Sequence, residues 1–200
     1  MSRKFFIPAI GLVLLLSLIS GCAKAPQQTV DAANAAMEAA KKAEADVYLP
    51  DQFKAAQDSL NAAMAEIEAQ NSKFALTRSY GNATKLLEAA TNAFNLAASE
   101  VEAKKEEVRT QSQQLFTDLQ NDLKEAKDLL KKAPKGKEGR EVLDAIQGEL
   151  STVESSLVEI TDLMNKGDYM SAKDKLDAGL QKVNSIKDEL NNAIAKKMGR

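Results

Sequence analysis

Apolar residues recur at alternating intervals of three and four through nearly all of this 200-residue chain after residue 29. This spacing places them on one face of an α-helix, and no segment shows the strict alternation of a strand. Ala, Glu, Lys, Leu and Arg make up 90 of the 179 residues from 22 to 200, a share typical of long helices or coiled coils. The sequence therefore predicts an all-α protein.

The first half of the chain contains two stripes at this spacing, and the first of them consists mostly of small residues. A break is expected at residues 48–51, because proline disfavours helix in the residue before it. Ser72 is expected to cap a third helix that starts near Phe74 and continues to Pro134, with Gly81 as a weak point inside it. The two stripes are Val30, Ala33, Met37, Ala40, Glu44, Val47 and Phe53, Ala56, Leu60, Ala63, Ile67.

The second half is patterned more strongly, and two turns divide it. Residues 133–139 hold one proline and two glycines, and residues 165–168 form a second turn in which Asp168 is the expected N-cap. The helix between these turns has an unbroken apolar stripe: Leu143, Ile146, Leu150, Val153, Leu157, Ile160, Met164. The final stripe is Tyr169, Ala172, Leu176, Leu180, Val183, Ile186, Leu190, Ala193.

These elements predict two antiparallel three-helix bundles that share one long central helix, forming an elongated rod. The middle of that helix is polar on nearly every face apart from Val108, so we expect it to bridge the bundles through solvent. Whether Pro50 marks a hairpin or only a kink stays open. The predicted segments are 1–21 (cleaved signal peptide), 22–28 (acylated tether), 29–105 (Ala-rich bundle), 106–114 (polar bridge) and 115–200 (second bundle).

The start of the chain has the organisation of a secretory signal peptide. Arg3 and Lys4 precede an apolar run of about fifteen residues, which is shorter than the roughly 20 residues of a membrane-spanning helix. The run ends in Ile19, Ser20, Gly21 and then Cys22, the only cysteine. This ending resembles the lipobox of bacterial lipoproteins. The alternative is an unmodified thiol after an ordinary signal peptide.

The lipobox resemblance implies cleavage between Gly21 and Cys22, with covalent lipid on the Cys22 sulfur. Several acyl chains hold a protein on a membrane far more firmly than one chain does. Ala23 follows the cysteine, which in the Gram-negative sorting pattern points to the outer membrane, facing the periplasm. Residues 30–100 also resemble small Ala-rich helical envelope lipoproteins of unassigned function. A compositional likeness to the murein lipoprotein stops at the C-terminus, where this chain ends in Gly199-Arg200 rather than lysine.

Composition excludes several classes of chemistry. Without histidine there is no imidazole base or imidazole metal ligand, and a single cysteine permits no intrachain disulfide. The acidic pairs, such as Glu106 and Glu107, are interleaved with lysines and are typical of solvated helix surface rather than of a catalytic pocket. We therefore expect no enzyme activity and no cofactor or metal besides the lipid on Cys22. A formal charge of −2 argues against nucleic acid as a partner.

Cations are concentrated near the turn at 132–140. An up-down-up second bundle would bring the C-terminal residues to the same end. The simpler interpretation is that these cations complement the dipoles of the helices that end there. The functional interpretation is that they form an end surface that contacts an anionic partner. The set comprises Lys127, Lys131, Lys132, Lys135, Lys137, Arg140, Lys196, Lys197 and Arg200.

The phenylalanines Phe53, Phe74, Phe94 and Phe116 are interpreted as large core residues in a small-residue interior, with ligand stacking as the alternative.

The leading functional interpretation is a lipid-anchored, non-enzymatic scaffold or partner-binding rod. Its partners would be the membrane, peptidoglycan or an envelope protein, and oligomerisation is compatible with the helical seams. The alternative is a lipid or amphiphile carrier, or an envelope chaperone, whose bundle opens.

Overall fold

The computed structural model describes residues 24–134, 139–197 and 199. Its described part is all-α, as predicted, with no strand. The helices are α1 (Gln27–Lys42), α2 (Ala45–Tyr48), α3 (Pro50–Asn71), α4 (Gly81–Lys132), α5 (Arg140–Lys166) and α6 (Tyr169–Lys197), with a 3₁₀ turn at Ala75–Thr77.

The chain divides into two compact units, Met1–Val101 and Glu102–Arg200, called the N-terminal and C-terminal units below. The boundary lies within α4, so each unit includes part of that 52-residue helix. Within the N-terminal unit α1 contacts α2 and α3. The C-terminal unit packs the second part of α4 with α5 and α6.

The N-terminal unit has a core rich in small residues, because alanine occupies half of its buried hydrophobic positions. All five residues of the second stripe are buried, which confirms the predicted face of α3. Tyr80, just before α4, is buried, and so are Leu87, Phe94, Val101 and the alanines at 83, 90 and 97 on α4. Within this core the rings of Phe53 and Phe94 contact each other.

The first helix ends earlier than its stripe predicted. Glu44 has φ 67°, a left-handed conformation that stops α1 before Pro50 is reached. The chain resumes as α2 in a new phase, so Ala45 and Tyr48 are buried while Glu44 and Val47 are exposed. Pro50 is the first residue of α3, where its missing N–H is not needed. The predicted inward positions of Glu44 and Val47 are therefore wrong.

The connection from α3 to α4 also differs from expectation. Ser72 follows the end of α3 and caps no new helix, and α4 begins at Gly81 rather than near Phe74. Gly81 is thus the first residue of α4 and not a weak point in its interior. Phe74 is 72% exposed, so its interpretation as a core residue is wrong. Phe53 and Phe94 are buried as expected, and Phe116 is half-buried against the C-terminal core.

The C-terminal unit has the core that its stripes predicted. The aliphatic side chains at 146, 150, 153 and 160 of α5 meet those at 172, 176, 183, 186 and 190 of α6 and the leucines of α4. Gly179 supplies a close approach, since a Cβ there would lie 3.0 Å from Leu119 Cδ2.

Local signals set the turn between α5 and α6. Gly167 has φ 80°, and Asp168 N–H donates to the carbonyl of Leu163 at 3.0 Å, as in a Schellman motif. Asp168 Oδ1 accepts from the N–H of Ser171 at 3.1 Å, which confirms the predicted N-cap.

The segment 106–114 is not exposed on all its faces, which corrects the expectation of a bridge through solvent. Val108 is 3% exposed and Ser112 is fully buried. Ser112 Oγ donates to the carbonyl of Tyr169 at 3.3 Å, and this contact ties the segment to the start of α6 within the C-terminal unit.

Candidate functional site

The cations predicted to form an end surface lie where α4 finishes and α5 begins. Lys131 and Lys132 occupy the last turn of α4, and Arg140 is the first residue of α5. All three side chains are exposed. Lys135, Lys137 and Arg200 lie outside the described residues, as do Gly21 and Cys22.

An open groove of about 570 Å³ lies between these two helix ends. Lys127, Lys131 and Arg140 supply its positive charge, and Leu130 and Leu143 supply its apolar surface. The remaining lining residues are Asp144 and Gln147. We call this surface, with Lys132, the basic groove. Its mixture of cations and aliphatic side chains suits an anionic partner that also carries apolar groups.

Carboxylates neutralise part of the positive charge. Lys127 Nζ lies 2.6 Å from Glu154 Oε1, and Lys131 Nζ lies 2.8 Å from Asp128 Oδ1. The hydrogen bond from Lys131 holds the pKa of Asp128 below its ordinary value, and the charges of Lys131, Lys132 and Lys124 act in the same direction. Within the described part of the chain, neither Lys132 nor Arg140 has an acidic partner at ion-pair distance. These two cations are the ones most available to a ligand.

The register of α6 sets the place of Lys196 and Lys197. Gly179 packs against Leu119, and Lys187 pairs with Asp122, so α6 advances along α4 in the same direction. The last turn of α6, which contains Lys196 and Lys197, therefore lies at the end of the unit where α4 finishes. Both side chains are exposed.

Sequence reasoning found the cations of this groove and missed its other components. Leu143 was assigned to the core stripe, but it also lines the groove, together with Asp144 and Gln147. The pairing of Lys127 with Glu154 crosses 27 positions of sequence and has no local signal. The available clue was the first turn of α5, where Leu143 lies between the charged residues Arg140 and Asp144.

The carboxylate-rich helix surfaces form short-range ion pairs. Glu107 pairs with Lys104 at 2.8 Å, and this hydrogen bond lowers the pKa of Glu107 below its ordinary value. Glu106 pairs with Arg109, and Asp177 pairs with Lys173. Among the residues that the structure describes, no group of three acidic or cysteine side chains is placed to hold a metal ion.

No helix in the described ranges is long and apolar enough to cross a membrane. The chain matches no protein-family model, and neither curated protein sequences nor solved structures show a significant match to it.

Proposed function

We propose that this protein is a lipid-anchored envelope protein that acts as a non-enzymatic scaffold and binds an anionic partner through the basic groove. The lipid would be attached to Cys22, where the lipobox-like sequence ends. The observation that carries the partner-binding role is the groove itself, because the exposed cations Lys131 and Arg140 line it together with the aliphatic side chains of Leu130 and Leu143.

The packing of the C-terminal unit supports a scaffold that stays closed. Its aliphatic core is continuous, and ion pairs connect neighbouring helices across its surface. Lys182 pairs with Glu149 and Lys175 with Glu159, which join α5 to α6. Lys187 joins α6 to α4 through Asp122 and Glu125. A bundle held in this way presents its end surface in a fixed geometry, which reduces the entropy lost when a partner binds.

The partner classes that fit are peptidoglycan, through its carboxylates, and an acidic surface on an envelope protein. Contacts between exposed cations and carboxylates weaken as salt increases. Binding to isolated cell-wall sacculi should therefore fall with ionic strength.

A charge-matched pull-down tests the groove. Changing Lys131, Lys132, Lys135 and Lys137 together to glutamine should abolish salt-sensitive binding to sacculi. The control changes four exposed lysines outside the groove, Lys41, Lys42, Lys54 and Lys166, and it should bind like the parent protein. If both variants bind sacculi as well as the parent protein does, the groove is not the binding surface. If both lose binding to the same extent, the loss reflects the change in net charge and not the groove.

Intact-mass analysis of the membrane fraction tests the anchor. We expect a chain that starts at Cys22 and carries the added mass of its acyl groups. An unmodified thiol at Cys22 contradicts the anchored location.

A carrier function is the second candidate, and the alanine core of the N-terminal unit favours it. Alanine buries little apolar surface, so separating helices that meet through alanine exposes little to water. The buried alanines of this unit are Ala33, Ala36, Ala40, Ala45, Ala56, Ala63, Ala83, Ala90 and Ala97. Circular dichroism and light scattering of the acyl-free protein with vesicles separate the two functions. A carrier changes its helix content when vesicles are added, because its bundle opens, and a scaffold keeps the same helix content.

A further inference from the structure

The loop that connects α3 to α4, residues 72–80, exposes two large apolar side chains two positions apart. Phe74 is 72% exposed and Leu76 is 71% exposed, more than any other large hydrophobic residue described. They lie on and beside the 3₁₀ turn Ala75–Thr77. We call residues 72–80 the tip of the N-terminal unit.

Hydrogen bonds fix the tip in this conformation. Arg78 donates from Nε to the carbonyl of Lys73 at 3.0 Å and from Nη2 to the carbonyl of Asn71 at 2.8 Å. Tyr80 Oη donates to Asn71 Oδ1 at 2.5 Å, and Thr77 Oγ1 donates to the carbonyl of Phe74. The buried amide of Gln70 accepts from the N–H of Ser79. The exposure of Phe74 and Leu76 is therefore built into an ordered loop.

The charged side chains of the tip have one sign. Residues 72–80 contain Lys73 and Arg78 and no acidic residue, and Lys85 follows in the first turns of α4, whereas Glu68 precedes the tip by four positions. Exposed apolar side chains flanked by cations are the combination that binds the surface of a membrane with anionic lipids.

The tip and the start of α1 lie toward the same end of the N-terminal unit. Gln52 donates to Glu100 at 3.0 Å, and Tyr80 donates to Asn71, so α3 and α4 are antiparallel and the tip is at one end. Because α1 is buried from Val30 to Ala40, we infer that it packs back alongside α3 and begins toward the tip. Four residues separate Cys22 from Gln27, so these two positions are five residue steps apart and at most about 18 Å from each other.

We propose that Phe74 and Leu76 insert into the interfacial layer of a phospholipid bilayer that contains anionic lipids. The proposal rests on the proposed function, since the lipid on Cys22 is what keeps the tip near a bilayer. Two apolar side chains bind weakly alone, but a tether raises their effective concentration at the surface. The tip then acts as a second attachment that fixes how the N-terminal unit stands on the membrane.

The test uses the full processed chain in vesicles of phosphatidylcholine with a minority of phosphatidylglycerol. When the Cys22 sulfur carries lipid, the variant Leu76→Cys has one free thiol, which takes an environment-sensitive dye. We expect blue-shifted emission and strong quenching by a nitroxide lipid in the bilayer. The matched control is Val158→Cys on α5, an exposed apolar position in the C-terminal unit (69% exposed). Its dye should show neither effect.

Charge variants check the mechanism of insertion. In the labelled protein, Lys73→Gln and Lys85→Gln should each lower the ratio of inserted to free tip about fivefold. Vesicles of phosphatidylcholine alone should lower it further. If the dye at residue 76 behaves like the dye at residue 158 on anionic vesicles, insertion is wrong, and a pocket on a partner protein becomes the occupant to seek.

The parent protein separates failure of the tip from failure of the anchor. A parent chain whose Cys22 reacts with the dye has no lipid on its sulfur, and the proposed function then fails. A parent chain that floats with vesicles and does not react, together with an unquenched dye at residue 76, refutes the tip alone.

Discussion

The rings of Phe53 and Phe94 meet edge to face, with centroids 5.2 Å apart and an interplanar angle of 61°. They join α3 to α4 in a unit whose other core positions are mostly alanine. Phe94 is fully buried, and Phe53 is 6% exposed. Edge-to-face pairs add about 0.5–1.5 kcal/mol beyond the area they bury. This contact therefore stabilises the packing of α3 against α4 beyond what the buried area supplies.

We expect Phe94→Ala to lower the free energy of unfolding by about 3–5 kcal/mol, because alanine leaves a cavity among side chains that cannot close around it. Leu96→Ala, at a 55% exposed position two residues away, should change it by less than about 0.5 kcal/mol. Urea unfolding followed by circular dichroism measures both. Equal effects at the two positions would contradict this account of the core.

Lys187 is a largely buried lysine that pairs with two carboxylates. Its Nζ lies 2.8 Å from Asp122 Oδ1 and 2.6 Å from Glu125 Oε2, and its side chain is 17% exposed. Removing it leaves the carboxylate of Asp122, which is 24% exposed, without its cation. We expect Lys187→Met to cost about 1 kcal/mol, and Lys182→Met, whose own side chain is 48% exposed, to cost less than half of that.

The contribution of Lys187 should depend on pH in the alkaline range. Hydrogen bonds to Asp122 and then Glu125 raise the pKa of Lys187 above its ordinary 10.5. The folded chain thus holds this proton more tightly than the unfolded chain, so the stabilisation is complete below pH 10.5 and falls as pH rises through the folded value. Urea titrations should show a constant difference between parent and Lys187→Met near neutral pH and a smaller one in that alkaline range. A difference that grows there would reverse the assigned sign.

Two helical glycines should respond in opposite ways. A Cβ at Gly148 meets nothing within 4 Å, so Gly148→Ala should stabilise α5 by about 0.5–1 kcal/mol. Gly179 faces Leu119 and Val153 at 3.0–3.5 Å, and Gly179→Val should destabilise the C-terminal unit by about 1–3 kcal/mol. Thermal unfolding of the two variants gives the signs, and stabilisation by Gly179→Val would show that the contact with Leu119 is not tight.

The turn between α5 and α6 predicts a capping effect. Asp168→Ala should cost about 1 kcal/mol through loss of the bond to the Ser171 N–H, whereas Asp168→Asn keeps an acceptor and most of the stability. Amide hydrogen exchange should locate the loss in the first turn of α6. Faster exchange throughout α5 and α6 would show that the turn acts on the whole hairpin.

The groove illustrates how far sequence reasoning extends to a site. The lysines and arginine at residues 132–140 predict a cationic surface at one turn, and the alternating spacing of three and four residues predicts which leucines face inward. The neutralisation of Lys127 depends on Glu154 of another helix, and the exposed side of Leu143 depends on how α5 begins beside α4. Those facts require the relative positions of two helices, which no local pattern encodes.

The sequence by itself determined the helical class, the inward faces of α3, α5 and α6, and the Asp168 cap, because periodicity and capping act over one or two turns. Tertiary structure decided that α1 stops at Glu44, that Ser112 is buried, and that Phe74 faces water. Glu44 adopts a left-handed conformation, the Ser112 hydroxyl hydrogen-bonds to a carbonyl 57 positions away, and Arg78 closes the loop that holds Phe74. In each case contacts between separate segments override the local preference. The free energies of these contacts depend on how the helices are arranged in the fold, and the spacing of apolar residues along one helix does not specify that arrangement.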